Sequence, residues 1–403
     1  MENFLSALFL QSGYNSALVA IGAALLGIAA GGAGTFIFLR KRALVSDAAA
    51  HATLPGICLA FMTMVALGGD GRSLAGLMAG SAISAAAALV LVDWIVRETR
   101  LPEDAAIGAV LSVFFGFGIV LMTVVQNMTA GRQAGLESFL LGSTAGMLFN
   151  EAVTIAIAGA AAGAVLFLLY RPMTLVAFDP EFAATTGIPV RATDLATMGL
   201  VLVVTVIGLK VVGLVLIVAM LIIPAVAARF WTERVDRVVL IASLMGGVSG
   251  YLGAALSAAH PQVPTGAVIV LVAFSLFVVS LLLAPARGVV ASVFRHLRFQ
   301  RRVHLRQGLL ALARDEPIFD RLTLKVLRGE GYIRGDGVAT LQGRATAANA
   351  LRDEARWEVA REMHLEGSLS GRFDGLNAIE DVFTPDEIRE LDRQLGGRIA
   401  VVS

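Results

Sequence analysis

The sequence predicts an all-α polytopic membrane domain followed by a small α+β domain, and three observations carry that reading. Hydrophobic residues make up 57% of the 403 and charged residues only 16%, well below the roughly 25% charged of soluble domains. The shortage is uneven: the first 286 residues hold 13 basic and 14 acidic side chains, the last 117 hold 19 and 17. Long uncharged runs, such as Leu271 to Ala286, fall in the first part. A soluble enzyme is excluded there. The tail has the composition and length of one small soluble domain. The expected organisation is a transmembrane domain over 1–286, a basic juxtamembrane linker over 287–306 and a cytosolic domain over 307–403. Net charge of +1 singles out no class of partner. The single cysteine, Cys58, has no internal disulfide partner. Residues 1–16 lack the basic start of a cleaved signal peptide and are expected to lead into the first span.

A crossing helix needs about 20 apolar residues. That length places spans at 17–39, 48–67, 73–96, 104–125, 150–170, 192–208, 211–228, 238–258 and 265–284. The sixth and seventh form one apolar stretch broken at Leu209-Lys210, which is too long for a single crossing. Nine spans are therefore expected. An eight-span alternative stays open, in which residues 192–228 do not cross as two helices and include a re-entrant piece. With the N-terminus outside, the inner loops hold ten basic residues: Arg40, Lys41, Arg42, Arg97, Arg100, Arg171, Arg191, Arg229, Arg234 and Arg237. The outer connections hold Arg72, Arg132 and Lys210, so the basic excess puts the C-terminus in the cytosol. Stretches of small residues, such as Ala29 to Gly34 and Ser81 to Ala88, suit close helix packing in a bundle.

Few ionisable residues fall in or beside a span. Asp47 and His51 open the second one, and their i, i+4 spacing stacks them on one helical face. A carboxylate oxygen and an imidazole nitrogen suit Mn, Fe or Zn divalent ions. Two ligands are too few for a closed site, but a symmetric dimer would offer four. Spacing alone equally allows Asp47 to be a helix N-cap and His51 to donate to a carbonyl. Pro55, followed by Gly56, removes a backbone donor beside the pair, and Cys58 and Met62 continue along the same face. These three are candidate pathway residues, with ordinary apolar packing as the competing reading.

Between spans five and six, Phe178-Asp-Pro-Glu-Phe-Ala-Ala-Thr-Thr-Gly-Ile-Pro is punctuated as a short helix. Asp179 caps it, Pro180 takes its first turn, Glu181 complements its dipole, and Gly187 with Pro189 ends it. Such a knob, with Phe178 and Phe182, is suited to docking a partner; an ordinary interhelical loop is the alternative. None of the three lysines, Lys41, Lys210 and Lys325, follows a glycine, so no Walker-type nucleotide loop is present.

The stretch Ser46-Asp-Ala-Ala-Ala-His-Ala-Thr-Leu-Pro-Gly resembles the Gly-Asp-Ala-x-x-His-Ala-x-Leu-Pro-Gly signature of the ABC-3 family, the permease subunits of manganese, zinc and iron ABC importers. Residues 178 to 189, Val211 to Arg229 and Val263 to Leu271 are similar to the rest of that family, in the same order. The resemblance covers about residues 10–286, with Ser46 standing where the family usually has Gly. It implies a fold like that of cobalamin and siderophore importer permeases. It also implies a homodimer in the bacterial inner membrane with two ATPase subunits and an extracytoplasmic binding protein. Asp47 and His51 fall on the family's metal-contacting positions, residues 178–189 on its coupling helix. The metal would be cargo, and ATP hydrolysis would belong to another subunit. A same-fold permease for a metal chelate or cofactor is the alternative, or a membrane-anchored sensor with a regulatory tail.

In the tail, helices are expected at 305–313, 319–328 and 343–364, a tight hairpin at 331–340 turning on Asp336-Gly337, and a last helix capped at Thr384. That order is similar to the winged-helix part of iron-dependent repressors. Its helical portion is short, so a regulatory or assembly role is expected rather than nucleic-acid binding. The basic segment 287–306 reads as a membrane-facing anchor.

Overall fold

The computed structural model describes residues 6–11, 13–69, 71, 73–128, 149–259, 263–363, 376 and 379–402. It divides into two units, 1–291 and 292–403. Arg72 and Arg132, used above for orientation, lie outside the described residues.

The first unit consists of helices α1 (Tyr14–Leu39), α2 (Ala43–Ala66), α3 (Leu74–Glu98), α4 (Glu103–Gln126), α5 (Phe149–Phe178), α6 (Pro180–Thr185), α7 (Val190–Val212), α8 (Leu214–Arg229), α9 (Val235–Ala259) and α10 (Thr265–Leu283). Eight of them are long and apolar enough to cross a bilayer. The ninth expected span falls on α8, whose 16 residues rise only about 24 Å against roughly 30 Å of hydrocarbon and so fall short of the length of a full crossing helix. The break also moves, from Leu209-Lys210 to Gly213. Gly213 ends α7 and starts α8 at φ 91°, a conformation open to glycine and strained for other residues. Beside the break the two helices stay in contact, where a methyl on Gly208 would run into the Ile217 side chain. The end of α8 reaches the end of α10, where the Arg287 amide donates to the Phe230 carbonyl at 3.2 Å.

The core of this unit is built on α1 and α9, which run antiparallel. A methyl on Gly27 would collide with the Gly246 carbonyl, on Gly31 with that of Ala242, and on Gly250 with that of Ala23. Glycine at these positions lets two backbones approach where dispersion and close packing drive helix association. Phe36, Leu26 and Ile217 fill the buried apolar cluster around this seam. A second cluster joins α2 to α3 and α4 through Ala48, Ala49, Ala52, Ala85, Ala88 and Ile107.

The second unit holds most of α11 (Val289–Ala313), then α12 (Arg321–Gly329), α13 (Leu341–Met363) and α14 (Pro385–Val402). The segment read as a linker, 287–306, is largely helical. Thr384 and Glu387 form the expected capping box, the Thr384 amide donating to the Glu387 carboxylate at 2.7 Å. The expected hairpin is reduced to a turn. Gly337 takes φ 88°, the Val338 amide donates to Asp336 Oδ1 at 3.1 Å, and a single antiparallel bridge joins Ile333 to Ala339. Strands cannot extend because Thr340 already caps α13, its Oγ1 accepting from the Gly343 amide at 3.0 Å. Among the described residues this unit is helical apart from that bridge, so the α+β winged-helix character expected from the sequence is not established.

Candidate metal site and partner-facing helix

Asp47 and His51 lie one and two turns into α2, not at its cap. The helix starts at Ala43 with Arg42 preceding it, which removes the N-cap alternative for Asp47. The two side chains meet with Asp47 Oδ1 3.5 Å from His51 Nε2. Donor atoms each about 2.1 Å from one ion, at angles between about 90° and 110°, lie about 3.0–3.5 Å apart, so the pair has the spacing of two adjacent ligands. Asp47 keeps 40% of its side-chain surface exposed and His51 20%, leaving the pair reachable from one side.

The rest of the imidazole is enclosed. The edge of the His51 ring meets Phe115 of α4, with centroids 4.9 Å apart and planes at 82°. His51 Nδ1 is buried and has no hydrogen-bond partner. A buried unpaired ring nitrogen costs free energy. Pro55 removes the N–H that would close the helical bond to the His51 carbonyl, so polar capacity collects at this turn. No group of three or more His, Cys, Asp or Glu able to hold a metal occurs among the described residues. Among the described residues one chain thus brings two candidate ligands together, open on one side.

The other expected pathway residues diverge. Pro55 lines an apolar groove of about 610 Å³ between α2, α3 and α4, with Gly56, Gly80 and Phe117. Cys58 is instead fully buried beside Leu54, Ile57 and Phe61, its Sγ 3.9 Å from the Gly118 carbonyl. Met62 packs against the same cluster. Both fill the α2–α4 contact.

The punctuated helix forms as expected. Asp179 Oδ1 accepts from the Phe182 amide at 2.9 Å, Pro180 occupies the first turn, and Gly187 leaves at φ 84°. Ala183 is buried beneath it, whereas Phe178 and Phe182 are 59% and 54% exposed and Glu181 is exposed. Two aromatic rings and a carboxylate thus stand outward on a rigid turn.

Sequence reasoning missed a charge network at the same end of the helices. Arg40 donates to both carboxylate oxygens of Asp194, at 2.8 and 2.6 Å, and to the Val176 carbonyl at 2.8 Å. Arg42 pairs with Glu103 at 2.7 Å and lies 3.6 Å from Asp194. The network ties the α1–α2 turn, five residues before Asp47, to the starts of α4 and α7 and the end of α5. Its one sequence signal is Asp194, an acidic residue within the first turns of an expected span.

The model of the ABC 3 transport family matches residues 14–284. The chain belongs to that family. It is 41% identical over 298 residues to the manganese transport system membrane protein MntC of Bacillus subtilis (strain 168), covering 74% of this chain and 67% of that one. It is 38% identical to the zinc transport system membrane protein TroC of Treponema pallidum (strain Nichols), over 72% and 95%. Among solved structures it is similar to PsaBC from Streptococcus pneumoniae in complex with Fab, at 28% identity and TM-score 0.61, covering 74% and 99%. The fold is also that of an inward-facing putative metal-chelate type ABC transporter, at 15% identity and TM-score 0.50. The matched residues 14–284 include α2, which carries Asp47 and His51.

Proposed function

We propose that the protein is the membrane permease of an ATP-driven importer of a divalent transition metal, manganese or zinc, with iron chemically admissible. The observation that carries the proposal is the Asp47–His51 pair, spaced as adjacent ligands in a chain whose relatives are named manganese and zinc transport proteins. Mixed oxygen and nitrogen donors favour these ions over magnesium or calcium, which prefer all-oxygen shells. Two ligands per chain are completed by a second copy, so the working form is a homodimer whose two pairs face one ion. The metal is cargo, and its site is exposed first outward and then inward.

The exposed Phe178 and Phe182, with Asp179, Pro180, Glu181 and Gly187 fixing their helix, form the surface on which a separate ATPase subunit docks. An extracytoplasmic solute-binding protein delivers the metal to the opposite end. The Arg40–Asp194 network and the Arg287–Phe230 contact gather basic helix ends at one end of the bundle. This supports an orientation with the N-terminus outside and the C-terminus in the cytosol of the bacterial inner membrane. The second unit, with its helix, helix and tight turn, serves regulation or assembly.

The test is metal uptake by cells carrying the whole transporter. Asp47→Ala and His51→Ala should each lower uptake at least about a hundredfold, since even outer-shell partners of metal ligands are worth 10- to 100-fold. Co-purification with the ATPase should persist. Undiminished uptake by both variants contradicts the assignment.

A further inference from the structure

The start of α11 is solvent-exposed within the second unit. Residues 292–302, about three turns, are all exposed. Within them Val293, Phe294 and Leu297 are 53%, 59% and 57% exposed and fall on one sector of the helix, and Phe299, 51% exposed, is the one bulky apolar side chain outside it. Arg298 and Arg302, one turn apart, flank that sector, and Ser292 lies opposite it. The next residue on the apolar side, Arg301, pairs with Glu330 at 2.7 Å and closes the sector. The eleven residues contain four arginines, one histidine and no acidic residue.

An isolated helix of this length is marginal in water, and most helical stability comes from covering an apolar face. A helix that only bridges two domains through solvent is polar all round; this one is not. Bulky apolar side chains on one sector with arginines along its flank are the pattern of a helix lying in the headgroup region of a bilayer. The chain itself supplies the proximity, because α11 begins six residues after Leu283, the end of the last apolar span.

We propose that residues 292–302 form an interfacial helix that binds anionic phospholipid. Val293, Phe294 and Leu297 enter the acyl boundary, and Arg298 and Arg302 take the phosphate headgroups. The surface attraction is additive over basic residues, so removing both arginines should weaken docking about thirtyfold. The inference is independent of the metal site and stands whatever the cargo.

The experiment uses the full-length protein in nanodiscs, in a Cys58→Ala background with spin labels at Leu297→Cys or Ser292→Cys. In bilayers containing anionic phospholipid, the label at 297 should collide with oxygen and be shielded from a water-soluble nickel chelate. The label at 292 should show the reverse. The contrast should fade in purely zwitterionic bilayers and in the Arg298→Gln/Arg302→Gln variant. Equal aqueous exposure at both positions in anionic bilayers would overturn the proposal. So would spin–spin broadening between labels at position 297 without collision with oxygen, because a second copy of the chain would then be covering the face.

Discussion

The seam between α1 and α9 and the first turns of α2 are built from the same small residues to opposite ends. Along the seam, Gly27, Gly31, Gly246 and Gly250 bring backbones so close that a single methyl would strike a carbonyl. Nothing in that contact carries a charge. In α2, Ala48, Ala49 and Ala52 are buried just as completely, but the remaining face holds Asp47, an unpaired buried nitrogen on His51, and a proline that interrupts the helical bonding one turn on. Close packing on one side leaves no polar group to satisfy. Unsatisfied polarity on the other is tolerable only where something else completes it, which is why buried unpaired groups concentrate at working sites.

Substitutions can break the comparison from either side. The largest expected effect is the near-complete loss of uptake in Asp47→Ala and His51→Ala with thermal stability kept. Filling His51 with Leu should even hold or raise the melting temperature, since it removes an orphaned nitrogen. At the seam the signs reverse: Gly246→Val should destabilise the folded protein by about 3 kcal/mol or more through overpacking against backbone that cannot yield. Scanning calorimetry in detergent reads this, and any uptake lost should follow the loss of folded protein.

The charge network lies between these extremes. Asp194→Asn leaves Arg40 buried without its carboxylate. Fully buried pairs cost about 3–5 kcal/mol when one partner is removed, and about 2–3 kcal/mol is expected here because the side chains retain 17% and 20% exposure. The smallest effect belongs to the second unit. There Arg356 clamps α14 by donating to Asp392 at 2.7 and 2.6 Å. The Arg356 guanidinium holds the Asp392 carboxyl below the usual carboxylate range. A depressed folded-state pKa gives a contribution that is whole above the ordinary carboxylate pKa and is lost as pH falls through the lowered value. Trp357 fluorescence in a Trp94→Phe/Trp231→Phe protein should therefore be flat from neutral pH down to about 4 and change only below it. Asp392→Asn should cost under about 1 kcal/mol, because Asp392 is 44% exposed.

What could be read from the sequence was set by local physics. Span ends fall within a few residues of the helices because hydropathy and helix length are properties of contiguous chain. The exception is α5, which continues through Pro172 to Phe178. The Asp179 cap and the stacking of Asp47 on His51 follow from spacings of three and four. The Arg40–Asp194 pair joins residues 154 apart, and no periodicity announces such a partner. Gly213 is hidden because three glycines, Gly199, Gly208 and Gly213, and a lysine share that apolar stretch, and only backbone geometry shows which glycine turns the chain. The hairpin failed for a neighbouring reason: its turn residues were legible, but the start of α13 at Leu341 left no chain for strands. The open character of the metal pair could be counted from the sequence, whereas the buried nitrogen that makes it incomplete could not.

The most direct test of the central claim is the metal content of the purified full-length protein, loaded with manganese or zinc and measured by mass spectrometry. Two facing Asp47–His51 pairs predict about one tightly held ion per two chains, absent from both Asp47→Ala and His51→Ala. One ion per chain, or unchanged content in the two variants, would contradict the account.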